Sequence, residues 1–288
     1  MKKVYISAYP YMCGLEDRRF HFEITCTKLD KETLKKELSE FNPHGVMAGL
    51  EVYDKEIFDI CPNLKVISRI GSGVDNVDLE EARKRGIAVL NTPDEPVQAV
   101  AELVIGQMIN LLRGLTKNPF PLHSKKIGRN LSDCTVGIIG MGRIGTRVYN
   151  LLQPFQCNKI YAYDIQDFRT TLDDTIRNSD ILTIHIPLTD YNKEFINKDI
   201  FEKMKDKSYL INTSRGGVVN EDDLYEYLIN GKLAGAALDV FQNEPYSGKL
   251  ADLTNVLCTP HIGSYTIETR QRMETKALQN CTDYLINN

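Results

Sequence analysis

Three residues suited to proton transfer and carboxylate binding follow predicted strands in the second half of the chain. Arg215, Glu244 and His261 lie in the segments Asn212-Thr-Ser-Arg-Gly-Gly, Ala237-Leu-Asp-Val-Phe-Gln-Asn-Glu-Pro and Thr259-Pro-His-Ile-Gly-Ser. An arginine fork binds carboxylates, an imidazole transfers protons near neutral pH, and a carboxylate can orient an imidazole and favour its charged form. Because ligands bind at the carboxyl ends of strands in an open parallel sheet, the three side chains are expected to converge on one crevice.

A glycine-rich turn with the spacing of a dinucleotide-binding fingerprint precedes these residues. The predicted strand 135–139 runs into a G-x-G-x-x-G turn, and Asp164 follows the next strand, 19 residues after the last glycine. The spacing predicts a pyrophosphate at a helix N-terminus and a ribose bound by the aspartate. The predicted cofactor-binding residues of this region are Gly140, Gly142, Arg143, Ile144, Gly145 and Asp164. Since the carboxylate would repel a 2′-phosphate, the predicted cofactor is NAD rather than NADP.

A nicotinamide site beside Arg215, Glu244 and His261 predicts hydride transfer between NAD(H) and a small 2-hydroxy or 2-oxo acid. Arg215 would bind the substrate carboxylate or polarise its carbonyl group. His261 would exchange a proton with the substrate oxygen, and Glu244 would hold the imidazole in place.

Short apolar strands alternate with helical patterns along nearly the whole chain, which indicates parallel sheets covered by helices. The predicted fold is α/β, with two Rossmann-like, doubly wound parallel-sheet domains. The final helical stretch, 267–288, could return to the first domain and close it. The predicted substrate domain is therefore discontinuous (residues 1–94 plus 266–288), and the predicted NAD-binding domain covers residues 95–265. The predicted strands are 4–8, 22–27, 46–49, 64–70, 87–90, 135–139, 160–163, 181–186, 209–212, 235–239 and 256–258.

These motifs resemble the D-2-hydroxyacid dehydrogenase family, in its phosphoglycerate dehydrogenase-like branch, from about Leu64 to Met273. Arg69-Ile-Gly-Ser-Gly-Val-Asp-Asn-Val-Asp is similar to the loop whose backbone amides hold the substrate carboxylate, which implies substrate binding by Ser72 and Gly73. Further cofactor contacts implied by the resemblance are His185, Ile186 and Pro187 on the adenosine side, Thr213 and Ser214 near the nicotinamide, Asp239 at its carboxamide, and Gly263. The resemblance also implies a homodimer.

The substrate itself stays open at this point. Val46-Met-Ala-Gly-Leu50 is apolar where enzymes acting on 3-phosphoglycerate tend to carry a basic residue, so the residues do not support that substrate. The physiological direction and the pathway are also undetermined. Two alternatives use the same fold: an NAD-sensing corepressor-like binding protein, and a formate- or phosphite-type dehydrogenase. Formate enzymes place Gln where this chain has Glu244, which disfavours the second alternative.

Composition limits the remaining function classes. Among 288 residues the formal net charge is −4, with acidic and basic residues mixed along the chain, which does not indicate a nucleic-acid partner. No apolar stretch has the length of a membrane span. The seven cysteines form no C-x-x-C pair, so neither a metal site nor a disulfide framework is expected, and free thiols suit the cytoplasm.

Overall fold

The structure, a computed structural model, describes residues 1–7, 19–24, 30–115, 127–166 and 170–288. The described strands are β1 (Lys2–Ile6), β2 (Phe20–Ile24), β3 (Gly45–Ala48), β4 (Val66–Arg69), β5 (Ala88–Leu90), β6 (Thr135–Ile139), β7 (Lys159–Tyr163), β8 (Ile181–Ile184), β9 (Ser208–Asn212), β10 (Leu233–Leu238) and β11 (Val256–Cys258). The described helices are α1 (Lys31–Phe41), α2 (Lys55–Ile60), α3 (Leu79–Lys84), α4 (Val97–Arg113), α5 (Arg143–Leu152), α6 (Leu172–Asn178), α7 (Lys198–Lys203), α8 (Glu221–Ile229) and α9 (Ile267–Asn287).

The chain forms two parallel-sheet α/β domains. One compact unit comprises residues 1–96 and 264–288, and the other comprises residues 97–263. The sequence places the same divisions after residue 94 and after residue 265.

The first unit contains a parallel sheet with the strand order β2-β1-β3-β4-β5. Its strands alternate between two apolar clusters, as a sheet covered on both faces requires. One cluster joins strand residues to α1 and α2, and the other joins the opposite strand face to α9. The strand residues in the α9 cluster include Val4, Ile6, Met47 and Val66, and the α9 residues are Met273, Ala277, Cys281 and Leu285. The C-terminal helix therefore completes the core of a unit that begins at the N-terminus.

The second unit contains a parallel sheet with the strand order β11-β10-β9-β8-β6-β7. One apolar cluster packs the sheet against α4 and α5, and another packs it against α6, α7 and α8. β6 is the first strand of this unit and lies inside the sheet, between β7 and β8. The chain therefore adds strands on one side of β6 and then on the other, so the strand order reverses there. Such a reversal places the loops after these strands at the ligand-binding edge of a doubly wound sheet.

Several strand boundaries differ from the sequence prediction. The predicted strand 181–186 ends at Ile184, three residues before Pro187, which has no backbone N–H group to donate to a neighbouring strand. The first two strands begin two residues earlier than predicted, at Lys2 and Phe20, because the two strands pair in register from those residues. Residue 8 of the first predicted strand and residues 25–27 of the second lie outside the described residues.

The described residues contain neither a membrane-spanning helix nor a metal-binding cluster. No described helix has the length and apolarity that crossing a membrane needs. No group of three or more His, Cys, Asp or Glu side chains there is arranged to hold a metal ion.

Candidate active site

Two members of the predicted trio are in direct contact in the second unit. His261 Nδ1 lies 2.9 Å from Glu244 Oε2, and each side chain is about one-third exposed (34% and 32%). An ionised carboxylate only accepts hydrogen bonds, so the imidazole carries a proton on Nδ1 and donates it to Glu244. This contact leaves the other ring nitrogen, Nε2, available to a ligand.

The electrostatics around Glu244 keep its carboxylate charged. Partial burial by itself would raise the pKa of Glu244. The hydrogen bond and charge of His261, the backbone N–H of Phe241 and the charge of Arg215 outweigh burial, so the pKa lies below its ordinary value. The Phe241 N–H donates to Oε1 at 3.1 Å, which fixes the second carboxylate oxygen. Glu244 is thus a charged, oriented acceptor for the His261 ring.

The backbone around His261 adopts a conformation that needs support. Its φ is +54°, in the left-handed region, which costs an L-residue other than glycine about 1 kcal/mol or more. The His261 N–H donates to the carbonyl oxygens of Asp239 (2.9 Å) and Thr259 (3.0 Å). These bonds hold the loop after β11 against the end of β10 and aim the imidazole at Glu244.

Asp239 fixes the rest of this loop through its side chain. Its carboxylate accepts hydrogen bonds from the Thr259 hydroxyl (2.6 Å), the Ile262 N–H (2.9 Å) and the Gly263 N–H (2.8 Å). The residue is 1% exposed, and this burial raises the pKa of its carboxyl group despite the three donors. The contact with the nicotinamide carboxamide that the family resemblance implies for Asp239 stays a prediction. This positioning role of Asp239 was not predicted from the sequence, although an aspartate directly after an apolar strand indicates that its carboxylate will need hydrogen-bond donors.

Arg215 lies in a turn organised by another residue that the sequence analysis did not single out. The Asn212 side chain is fully buried at the end of β9. Its Oδ1 accepts from the N–H (3.0 Å) and hydroxyl (2.8 Å) of Ser214, and its Nδ2 donates to the Arg215 carbonyl (3.0 Å). Arg215 Nη1 donates to the Ser214 carbonyl at 2.8 Å. The amide of Asn212 therefore sets the path of the backbone from which the guanidinium extends.

The glycine turn has the geometry of a pyrophosphate cradle. Gly140 has a φ of +95°, and a Cβ there would meet the His185 carbonyl oxygen at 2.6 Å. A Cβ on Gly145 would lie 1.9 Å from the Gly140 carbonyl, so only glycine allows α5 to start this close to β6. Gly142, the N-cap of α5, has open space beside it and no side-chain cap. The first turn of α5 therefore begins without a side-chain cap, the arrangement in which helix N-termini bind anions.

Three further predicted contacts lie around this turn. Asp164 accepts hydrogen bonds from the N–H groups of Met141 (2.7 Å) and Gln166 (2.9 Å), which holds its carboxylate beside the glycine turn. Thr213 Oγ1 is buried and has no hydrogen-bond partner among the described residues. His185 Nε2 lies 3.0 Å from the Thr183 hydroxyl, and burial lowers the pKa of the ring to about 3. The glycine turn, the positioned Asp164 carboxylate and the Thr213 hydroxyl, which has no described partner, together fit a dinucleotide.

Ile186 and Pro187 follow His185 at the end of β8, and Ser214 lies in the Arg215 turn with Thr213. The Gly263 N–H donates a hydrogen bond to the Asp239 carboxylate. The structure thus places every predicted cofactor contact in the second unit. Their individual roles remain predictions.

The predicted substrate-binding loop, which follows β4 in the first unit, exposes two adjacent backbone donors. Gly71 has a φ of +146°, and its N–H donates to the Thr92 hydroxyl at 2.8 Å. The Ser72 carbonyl accepts from the Asn91 side chain at 2.7 Å. The N–H groups of Ser72 and Gly73 have no acceptor within the part of the chain that the structure describes. Two such donors suit a carboxylate.

The substitution Asp239→Asn is expected to lower both stability and activity. An amide has one acceptor oxygen, so its NH₂ group would face one of the three donors and leave that donor unpaired, at a cost of about 1–3 kcal/mol. We expect a matching loss in the free energy of unfolding and a lower kcat, because the His261 loop loses its anchor. Denaturant unfolding and steady-state kinetics measure both. Asp206→Asn, at a side chain 82% exposed, is the control and should change neither. Wild-type stability and kcat in Asp239→Asn would contradict the positioning role.

Known proteins similar to this chain include 2-oxo acid reductases and a D-lactate dehydrogenase. Residues 105–263 match the sequence model of the family described as "D-isomer specific 2-hydroxyacid dehydrogenase, NAD binding domain". A hydroxypyruvate reductase from Thermotoga maritima is 37% identical over 87% of this chain and 87% of its own length. A glyoxylate reductase from Thermofilum pendens is 40% identical over 79% of this chain and 74% of its own length. The crystal structure of a D-lactate dehydrogenase from Aquifex aeolicus, complexed with NAD and lactic acid, superposes with a TM-score of 0.83 at 27% identity and covers 99% of this chain and 96% of that one.

Proposed function

Since the chain belongs to the D-2-hydroxyacid dehydrogenase family and is an NAD-dependent oxidoreductase, we propose that it reduces a small 2-oxo acid of the glyoxylate and hydroxypyruvate type. The observation that carries the proposal is the 2.9 Å contact between His261 and Glu244, in the same unit as the glycine cradle. The names of the two relatives support the substrate class. The assignment to the phosphoglycerate dehydrogenase-like branch stays a prediction.

When bound, the cofactor would supply a hydride to the substrate carbon as NADH or accept one from it as NAD⁺. His261 Nε2 donates a proton to the substrate oxygen in the reductive direction and takes it back in the oxidative direction. Glu244 accepts from Nδ1–H and stabilises the imidazolium form that results when a proton is held on both ring nitrogens. Arg215 binds the substrate carboxylate or carbonyl oxygen through its planar fork, which also stabilises charge on that oxygen.

The cofactor is held by groups with distinct roles. The uncapped first turn of α5 binds the pyrophosphate, and Asp164 accepts from the ribose hydroxyls. The Thr213 hydroxyl, which has no partner within the described part of the chain, would provide a hydrogen bond near the nicotinamide. On the substrate side, the N–H groups of Ser72 and Gly73, which have no acceptor among the described residues, would bind the substrate carboxylate.

Steady-state NADH oxidation with glyoxylate, hydroxypyruvate and pyruvate tests the proposed function. We expect turnover with glyoxylate or hydroxypyruvate, and a kcat/KM at least about tenfold higher with NADH than with NADPH, because the Asp164 carboxylate repels a 2′-phosphate. Tight NADH binding without turnover of any 2-oxo acid would instead favour the corepressor-like alternative. Activity with formate or phosphite, and with none of the 2-oxo acids, would favour the formate- or phosphite-type dehydrogenase.

The proposal also covers the oligomeric state and the cellular location of the protein. We infer a homodimer, for which light scattering should give twice the chain mass of 32.7 kDa. We also infer a cytoplasmic location, which cell fractionation tests. The described cysteines are all free thiols, as a reducing compartment would keep them.

A further inference from the structure

A half-buried carboxylate lies at the carboxyl edge of the first unit's sheet and has no role in the chemistry above. Glu51 belongs to the loop after β3, and its Oε2 lies 3.2 Å from the hydroxyl of Ser7, the residue after β1. A Cβ on Gly49 would meet the same Oε2 at 2.8 Å. The carboxylate therefore lies over the end of β3, between the ends of β1 and β3.

Two buried hydroxyl groups form a short chain of hydrogen bonds beside this carboxylate. The hydroxyls of Tyr53 and Ser7 are 2.7 Å apart, and both residues are at most 1% exposed. Burial, with the negative charge of Glu51, raises the pKa of Tyr53 well above its ordinary value. The phenol therefore stays protonated and can donate to Ser7, whose own proton points to Glu51 or to the Met47 carbonyl, also at 3.2 Å. The contact with Ser7 places the Glu51 carboxylate beside the end of β1.

The Glu51 loop is also fastened to the loop that carries Ser72 and Gly73. Asn76 Nδ2 donates to the carbonyl oxygens of Glu51 (2.6 Å) and Gly49 (3.2 Å), and the Asn76 carbonyl accepts from the Tyr53 N–H (2.8 Å). The two loops follow β3 and β4, which are neighbours in the sheet. Neighbouring strands lie about 4.8 Å apart, roughly the length of a three-carbon acid. A substrate whose carboxylate is bound after β4 can thus extend its substituent over Gly49 towards Glu51.

The other charged residues that the structure describes in the loops after β4 and β5 are placed differently from Glu51. Arg69, at the end of β4, donates from Nη1 to the Ile70 carbonyl, and its guanidinium lies beside Gly71 in the loop after β4 rather than over β3. Asp75 and Asp94 are exposed, where water and salt weaken their fields, and the half-buried Glu95 follows β5, which lies two strands away from β3. The half-buried Glu51 carboxylate therefore acts most strongly on a substituent that extends over β3.

We propose that Glu51 is a specificity-determining residue that excludes 2-oxo acids with a negatively charged substituent and admits small neutral ones such as a hydroxymethyl group. The inference rests on the proposed 2-oxo acid reductase function and narrows its substrate class. The hydroxymethyl hydroxyl can donate to the carboxylate, whereas a phosphate or second carboxylate is repelled. A unit charge about 7 Å away at an effective dielectric constant near 20 changes kcat/KM by at least about tenfold.

Glu51→Gln tests the proposal, because the amide keeps the shape and one acceptor oxygen but removes the charge. The measured quantity is the kcat/KM for 3-phosphohydroxypyruvate divided by that for hydroxypyruvate, two substrates that differ by one phosphate. We expect this ratio to rise at least about tenfold in the variant. Glu56→Gln is the matched control: its side chain is 61% exposed on α2 and pairs with Lys31 and Lys35, and it should leave the ratio unchanged.

A measurement on the wild-type enzyme keeps the proposal testable if the variant does not fold. Salt screens repulsion between the carboxylate and the phosphate, so the same ratio should rise as ionic strength increases. An unchanged ratio in folded Glu51→Gln, or a wild-type ratio that falls with salt, would overturn the role of Glu51 while hydroxypyruvate turnover upheld the proposed function. Absence of turnover with every 2-oxo acid would overturn both.

Discussion

His261→Ala is expected to lower kcat for 2-oxo acid reduction by roughly 10²–10⁴-fold, the usual contribution of a general acid. The imidazole is oriented by Glu244 at 2.9 Å, and alanine removes the proton donor while leaving the glycine cradle intact. NADH binding, followed by fluorescence titration, should therefore keep its wild-type Kd. Steady-state kinetics with hydroxypyruvate or glyoxylate measure the loss.

A second variant separates chemistry from backbone strain at this position. His261 has a φ of +54°, and asparagine tolerates the left-handed region better than alanine does. If the imidazole is the acid–base group, His261→Asn should lose as much kcat as His261→Ala while unfolding at a higher denaturant concentration. His21→Ala, at an exposed histidine on β2, should keep wild-type kinetics. Retention of more than about a tenth of kcat in both His261 variants would remove His261 from the mechanism.

Arg215→Lys is expected to lower kcat/KM by about 10²–10³-fold, although the substitution preserves the positive charge. Lysine presents a point charge and cannot bind a carboxylate or carbonyl oxygen through two parallel N–H groups. Because Arg215 would contact the substrate both before and during the reaction, we expect KM to rise and kcat to fall together.

Arg177→Lys provides the matched control for this substitution. Arg177 is 54% exposed on α6 and pairs with Asp173, so its replacement should leave both kinetic constants near wild type. A kcat/KM within threefold of wild type in Arg215→Lys would show that the guanidinium geometry is not used.

The sequence by itself determined the features that arise within short segments. The glycine turn and Asp164 are set by strand–turn–helix spacing, and the structure shows Gly140 at positive φ and Asp164 bonded to the turn through Met141. Both α/β domains follow from the alternation of apolar strands and helices. Local periodicity and backbone sterics are properties of neighbouring residues, so they can be recognised without a fold.

Only the tertiary structure decided how distant segments support the candidate site. The sequence predicts that His261 and Glu244 converge, but not that Asp239 receives three donors from the His261 loop or that Asn212 fixes the Arg215 turn. It shows Glu51 as one acidic residue among many, and the contacts with Ser7 and Gly49 give its carboxylate a position. Burial, hydrogen-bond partners and local charge depend on which loops meet at the edge of a sheet. That proximity is created by packing the strands side by side and is not encoded in the spacing along the chain.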